Sequence, residues 1–387
     1  MSTTAKIEIT NRDVVGAMRD FLRLLLEKED VKGVLVPMHM PGGGLAMPTL
    51  VADPAELQRV DPFAPSFPLN AAALVAKLTR GAAEGHVAAV LRPCEIRAFR
   101  ELAKLNQGSV DNVLLIGVEC HGAFSNREYH GFVKGRDPLA ATAAFLEEAL
   151  KGNGGAGAAQ GIIDGHALAG ACRACEHFVP HMADLAVGLV GLNPDAGLPL
   201  ISQTPRGERA LSRLKLPEMA EDPGRPKAME ALSAARVAKR DAMFAETAAA
   251  TDSIQKLAEF LSNCINCYNC RVACPVCYCR ECVFVTNVFD HKPWQYMGWA
   301  KKQGLLKMPT DTVFYHMTRM AHMSLSCVGC GQCSNACPND VPVMELFRLV
   351  ASRTQKAFEY EPGGSLDQPP PLTVFHEKEV FAVAEGE

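Results

Sequence analysis

The 387-residue chain has no uninterrupted apolar run near the roughly 18 to 20 residues needed to cross a bilayer; stretches such as Val113 to Val118 are among its longest. Its opening, Met1-Ser-Thr-Thr-Ala-Lys6, lacks the apolar segment of a secretory leader. A soluble, cytoplasmic protein is expected. An excess of basic charge is also missing. Thirty-nine Lys and Arg against 43 Asp and Glu leave a net charge of −4, which gives no electrostatic footprint for nucleic acid or an anionic membrane. There is no Walker loop, Ser-His-Asp grouping or pair of catalytic carboxylates to point to phosphoryl, acyl or glycosyl transfer. With 48% apolar and 21% charged residues, the chain is globular in composition and long enough for two or three domains.

What the sequence has is cysteine, 15 in all. In a cytosolic protein these are read as metal ligands or catalytic thiols in preference to disulfides. Cys264-x2-Cys267-x2-Cys270-x3-Cys274-Pro275 is a bacterial-ferredoxin ligand run, and Cys327-x2-Cys330-x2-Cys333-x3-Cys337-Pro338 repeats it. In such pairs the fourth cysteine of each run serves the other cluster. One 4Fe-4S centre is therefore assigned to Cys264, Cys267, Cys270 and Cys337, the other to Cys327, Cys330, Cys333 and Cys274. Structural zinc is disfavoured because it wants two CxxC pairs, not two complete runs each closed by proline. Cys277, Cys279 and Cys282 remain, one thiol short of a further metal site unless His291, His316 or His322 completes it. Trp294, Tyr296, Trp299 and Phe314, between the two runs, are expected to be packing residues.

The first 200 residues alternate helix and strand. Asn11 is placed as the N-cap of a helix carrying Val15, Met18, Leu22, Leu25 and Leu26 at the 3.6 period. Strands are expected at 33–37, 87–91 and 113–118, and helices at 70–82, 95–105 and 139–150, a pattern of parallel α/β sheet. A proline- and charge-rich exposed linker is expected over 203–240, running into an Ala-rich helix over 228–260, and a last strand over 374–383.

Four cysteines lie apart from the ferredoxin runs. Cys94 and Cys120 each follow a predicted parallel strand, where α/β folds place their chemistry, and Cys172-Arg-Ala-Cys175 adds two more. By spacing alone these four are either one cubane's ligands or a redox CxxC, acting as a thiol-disulfide reductase, beside two core thiols.

Arg92-Pro-Cys-Glu-Ile-Arg97, Gly117-Val-Glu-Cys120, Cys172-Arg-Ala-Cys-Glu-His-Phe178, Ala183-Asp-Leu-Ala-Val-Gly188 and Cys277-Tyr-Cys-Arg-Glu-Cys282 together resemble the beta subunits of coenzyme F420-reducing hydrogenase and the related formate dehydrogenases. The resemblance covers most of the chain. It implies FAD beside a 4Fe-4S centre held by Cys94, Cys120, Cys172 and Cys175, a two-cluster ferredoxin extension, and delivery of electrons to a heterodisulfide-reductase-like partner or to hydrogenase or formate dehydrogenase subunits. The implied fold is an α/β (α+β) FAD and 4Fe-4S domain over 1–202, a linker and Ala-rich helix over 203–254, a small ferredoxin-like α+β domain over 255–350 and an extended tail over 351–387. For FAD the candidate contacts are Gly42, Gly43 and Gly44, whose backbone would approach a pyrophosphate, Arg92 and Arg97 as cations, and Asn70 as a cap or flavin partner. Three clusters and one FAD are expected in an oxidoreductase subunit that exchanges hydride with F420, NAD(P)H or a formate-derived donor. The alternative is a flavin-free iron-sulfur wiring subunit.

Overall fold

The computed structural model describes residues 3–28, 31–41, 44–81, 86–151, 156–220, 222–279, 281–286, 292–303 and 312–374. In chain order the first part runs β1 (Thr4–Ile7), α1 (Val14–Lys28), β2 (Val31–His39), β3 (Ala46–Val51), α2 (Ala72–Leu78), β4 (His86–Leu91), α3 (Pro93–Lys104) and β5 (Val113–Val118). Next come α4 (Asn126–Val133), α5 (Pro138–Leu150), α6 (Ala156–Gln160), a small hairpin of β6 (Ile162–Ile163) and β7 (His166–Ala167), α7 (Gly170–Arg173), β8 (Leu185–Val187), β9 (Leu198–Ser202) and α8 (Pro205–Leu214).

Seven strands form one sheet in the order β1-β9-β8-β5-β4-β2-β3. Its centre is parallel, β2 to β4 to β5 to β8, and both margins are antiparallel. The carboxyl ends of the four parallel strands therefore share one edge. Strand β5, Val-Leu-Leu-Ile-Gly-Val, is buried at every position, as a strand covered on both faces must be. Its side chains alternate between two cores. Leu114, Ile116 and Val118 pack with α1, α5 and α8, whereas Val113 and Leu115 pack with α2, α3 and the C-terminal region.

Up to Phe260 the expected elements are found with three corrections. Asn11 has φ 55° and does not cap α1; Asp13 does, its Oδ1 accepting the Gly16 N–H at 2.7 Å. The segment after 203 is not an exposed linker at its start. Thr204 caps α8, and Ala210, Leu211 and Leu214 enter the core, because its charged residues occupy only the outer face of an amphipathic turn. The Ala-rich helix is α9 (Arg225–Ala250), and a new N-cap, Ser253, starts the separate α10 (Ile254–Phe260).

The rest of the chain is helical, with no strand among the described residues beyond Ser202: α11 (Asn269–Val272), α12 (Pro293–Gln303), α13 (Thr312–Met323), α14 (Gln332–Asn335) and α15 (Val343–Ala357). Trp294 is 69% exposed and is not the packing residue expected of it, whereas Phe314, though 56% exposed, packs edge-on against buried Phe284 with ring centroids 6.3 Å apart; the Tyr296 and Trp299 side chains lie outside the described residues. The segment after 351 is not an extended tail at its start. Helix α15 runs to Ala357, and then Tyr360 Oη and the Gly363 N–H both donate to Glu101 Oε2, at 2.7 and 3.0 Å. The strand expected over 374–383 falls outside the described residues, save Val374. No described helix is long and apolar enough to cross a membrane.

Candidate functional site

The four scattered cysteines meet at the carboxyl edge of the sheet. Cys94 sits in the first turn of α3 just past β4, Cys120 two residues past β5, and Cys172 and Cys175 on and after α7. All four line a cavity of about 410 Å³, together with Phe67, Arg92, Gly122, His177, Arg236 and Cys330. Burial pushes the Cys94 and Cys120 thiols up and lifts Cys172 to about 12. Thiols raised in this way hold their protons at neutral pH, so a metal cluster that binds them displaces protons. His177 is pushed down to about 4 by burial and by the Arg97 charge.

Two arginines that sequence reasoning missed frame this cavity. Arg236 of α9 is fully buried and donates to the carbonyls of Cys120 and His121 at 3.1 and 2.7 Å. It pins the turn that presents Cys120. Arg348 of α15 donates to the Ala174 carbonyl at 2.6 Å and pairs with Glu176, clamping the Cys172–Cys175 turn to the C-terminal region.

A second cavity, of about 430 Å³, is lined by Cys274, Cys327, Cys330 and Cys333 along with Pro275, Arg319, Met323 and Phe347. Its thiols are the set assigned from the crossed ferredoxin pattern. Backbone N–H groups two residues on support several of them: Val276 for Cys274, Gly329 for Cys327 and Gln332 for Cys330. The third set surrounds Cys264, whose thiol is raised by burial and by the neighbouring charges of Cys270, Cys337 and Cys267. Here the Asn266 N–H donates to Cys264 Sγ at 3.5 Å and the Val341 N–H to Cys337 Sγ at 3.4 Å. Cys267 is exposed.

The sets are joined at a close seam. Cys330 and Gly329 line both the first and second cavities. A Cβ on Gly331, which has φ +77°, would stand 2.4 Å from the Ala171 Cβ, so only glycine allows α7 and the second cysteine run to approach this closely. Gln332 Nε2 and Asn335 Nδ2 complete the seam by donating to the Phe67 carbonyl at 2.8 and 3.0 Å.

The candidate flavin contacts do not gather in the same way. Gly42 and Gly43 lie outside the described residues, and Gly44 has φ +123° with open space where a Cβ would be. Arg92 is committed to the carbonyls of Ala64 and Ser66 at 2.5 and 2.8 Å and stacks on Phe67. Arg97 reaches the Val328 carbonyl at 3.2 Å. Asn70 Oδ1 accepts from the Ala72 N–H at 3.0 Å, while its buried Nδ2 has no partner among the described residues.

Cys279 and Cys282 both neighbour Cys277, but His316 Nε2 lies 3.3 Å from Cys264 Sγ instead, His322 is exposed and His291 lies outside the described residues. Among the described residues no group of three or more His, Cys, Asp or Glu converges to hold a single metal ion; a cubane spreads its thiolates more widely than one ion does.

Residues 85–221 match the family described as the C terminus of the coenzyme F420 hydrogenase/dehydrogenase beta subunit, and residues 259–341 match the 4Fe-4S dicluster domain. The two matched segments follow one another along the chain, the beta-subunit match first and the iron-sulfur match second. Among curated proteins the chain is similar to the F420-dependent formate dehydrogenase subunit beta of Methanocaldococcus jannaschii, 28% identical over 374 residues covering 92% of this chain and 93% of the relative. It is also similar to the F420-dependent formate dehydrogenase 1 subunit beta of Methanococcus maripaludis, 27% identical over 378 residues covering 92% of each. These relatives are subunits of an oxidoreductase. Of solved structures, a chain of the F420-reducing [NiFe] hydrogenase complex from Methanosarcina barkeri aligns with a TM-score of 0.45 at 15% identity, over 66% of this chain and 94% of that chain.

Proposed function

We propose that this chain is a cytoplasmic FAD- and 4Fe-4S-containing subunit that moves electrons between a small hydride carrier and a protein partner. The observation that carries the reading is the row of three four-thiol sets. Cys94, Cys120, Cys172 and Cys175 stand at the sheet edge, Cys274, Cys327, Cys330 and Cys333 stand across the shared Cys330–Gly329 seam, and Cys264, Cys267, Cys270 and Cys337 form the third set, with Cys267 exposed. When bound, a flavin takes two electrons as hydride and 4Fe-4S clusters hold them singly.

The residues fit those groups. The first cavity offers the four thiols of its own set and the shared Cys330, the second offers four, and neither is lined by a carboxylate, which suits thiophilic iron-sulfur centres. Arg236 and Arg348 fix the turns that present Cys120 and Cys175. For the flavin, the unpartnered Asn70 amide, the open Gly44 backbone and the unpartnered Arg97 Nε are the groups left to bind it, whereas Arg92 serves the polypeptide. F420 is the first hydride carrier to try, because the formate dehydrogenase relatives are named for it; NAD(P)H is the alternative. A heterodisulfide-reductase-like protein is the proposed partner, docking near Cys267.

Iron, sulfide and flavin analysis of anaerobically purified protein tests the reading: about 12 iron and one FAD per chain are expected if each cubane takes four Cys. Retained flavin with about 8 iron removes the N-terminal cluster. Full iron without flavin establishes the flavin-free wiring subunit in its place.

A further inference from the structure

Arg319 lies on α13, in the insertion that separates the two ferredoxin runs, and is 4% exposed. Its Nη1 donates to Cys270 Sγ at 3.0 Å and its Nη2 to the Cys270 carbonyl at 3.1 Å. The guanidinium lies 4.7 Å over the Phe347 ring and 5.7 Å from the Tyr315 ring. The same side chain lines the cavity of Cys274, Cys327, Cys330 and Cys333. It therefore touches a thiol of one assigned set while bordering the other.

No described carboxylate pairs with it. A buried guanidinium among aromatic rings, without an acidic partner, is costly unless a negative group lies beside it. The nearby groups able to carry negative charge are Cys270, Tyr315, Cys274 and Cys333, and three of these are thiols of the two sets. Its Nε is buried with no partner among the described residues, so one donor remains for a group that is not protein.

We propose that Arg319 is the shared counter-cation of the two C-terminal iron-sulfur clusters and raises the reduction potentials of both. This rests on the cluster reading above. A fixed cation favours the more negative, reduced form of any centre within its reach, and the low-dielectric pocket of Tyr315 and Phe347 keeps that effect from being screened.

The test is an EPR-monitored redox titration of the full holoprotein in wild type, Arg319→Met and Arg319→Lys. Arg319→Met is expected to disfavour reduction of both C-terminal clusters at least tenfold, a fall of 59 mV or more for a one-electron couple. Arg319→Lys retains the charge and is expected to restore most of that loss, and the N-terminal cluster is expected to be unchanged. Unchanged C-terminal potentials in Arg319→Met overturn the proposal, as does a shift equally large in Arg319→Lys. If Arg319→Met does not retain its clusters, iron retained by Arg319→Lys supports the charge requirement, and iron lost from both refutes it. Wild-type protein without paired C-terminal cluster signals would instead defeat the cluster reading itself.

Discussion

Cys330 stands across the domain seam from Cys94. Both line the 410 Å³ cavity at the sheet edge, and Cys330 is one of the neighbouring charges that, after burial and Glu95, raise the Cys94 thiol. Cys330 also belongs to the second thiol set, so the two sets adjoin without an intervening layer of side chains.

The seam predicts a defect when the first set is broken. In Cys172→Ser, reduction of the C-terminal clusters by a hydride donor is expected to slow at least tenfold, or about 1.4 kcal/mol of barrier, while flavin bleaching keeps its wild-type rate. Stopped-flow absorbance with parallel freeze-quench EPR separates the two signals. Equal C-terminal reduction rates in variant and wild type would take the Cys94, Cys120, Cys172 and Cys175 set off the route.

Crossing of ligands gives a second expectation. Cys274 belongs by sequence to the first run but lines the cavity of Cys327, Cys330 and Cys333, and Cys337 of the second run neighbours Cys264. Cys274→Ala should therefore damage the cluster of the second run, and Cys337→Ala that of the first, each with loss of about 4 iron. If each substitution instead abolishes its own run's signal, the crossed topology is wrong.

Spacing carried much of this into view before any coordinates. The doubled Cys-x2-Cys-x2-Cys-x3-Cys-Pro run dictates local loops, and the apolar run Val113–Val118 matches β5 residue for residue. Cys94 and Cys120 were recognisable because each closes a parallel strand. Arg236 and Arg319 were not. Each makes its decisive contact far along the chain, Arg236 with a carbonyl 116 residues away and Arg319 with a thiol 49 away, and a lone arginine in a helix ordinarily reads as solvated. The available signal was periodicity: Arg236 falls four residues after buried Leu232, and Arg319 four after buried Tyr315, on faces a solvated cation would avoid. The bonds of Arg92 were least legible, because it serves the Ala64 and Ser66 carbonyls, which no pattern in the sequence announces.

Glu101 holds the two parts of the molecule together. Fully buried on α3, it accepts from Ser326 Oγ at 2.8 Å as well as from Tyr360 and Gly363. Tyr360→Phe deletes one donor to a buried carboxylate and is expected to cost about 1–3 kcal/mol. Hydrogen exchange should show the loss first at residues 358–364 and along α3, with the strands unaffected. Unchanged exchange and an unchanged unfolding midpoint would mean that the Glu101 contacts do not secure the seam.

The remaining thiols, Cys277, Cys279 and Cys282, decide whether a fourth centre exists. Cys279 is exposed and Cys277 and Cys282 are half-buried. His316 is spent on Cys264, which leaves the group one donor short among the described residues. Brief alkylation of the oxidised holoprotein should therefore label Cys279 ahead of every assigned ligand thiol, Cys267 included, and iron should stay at about 12 per chain. Cys267, like Cys279, is exposed, but a thiolate bound to iron is a poor nucleophile, so the two separate ligation from simple exposure. Stripping iron with a chelator should then release Cys267 to the reagent at a rate close to that of Cys279. Protection of Cys277, Cys279 and Cys282 until the chelator is added, with iron near 16 per chain, would make them ligands of a fourth cluster.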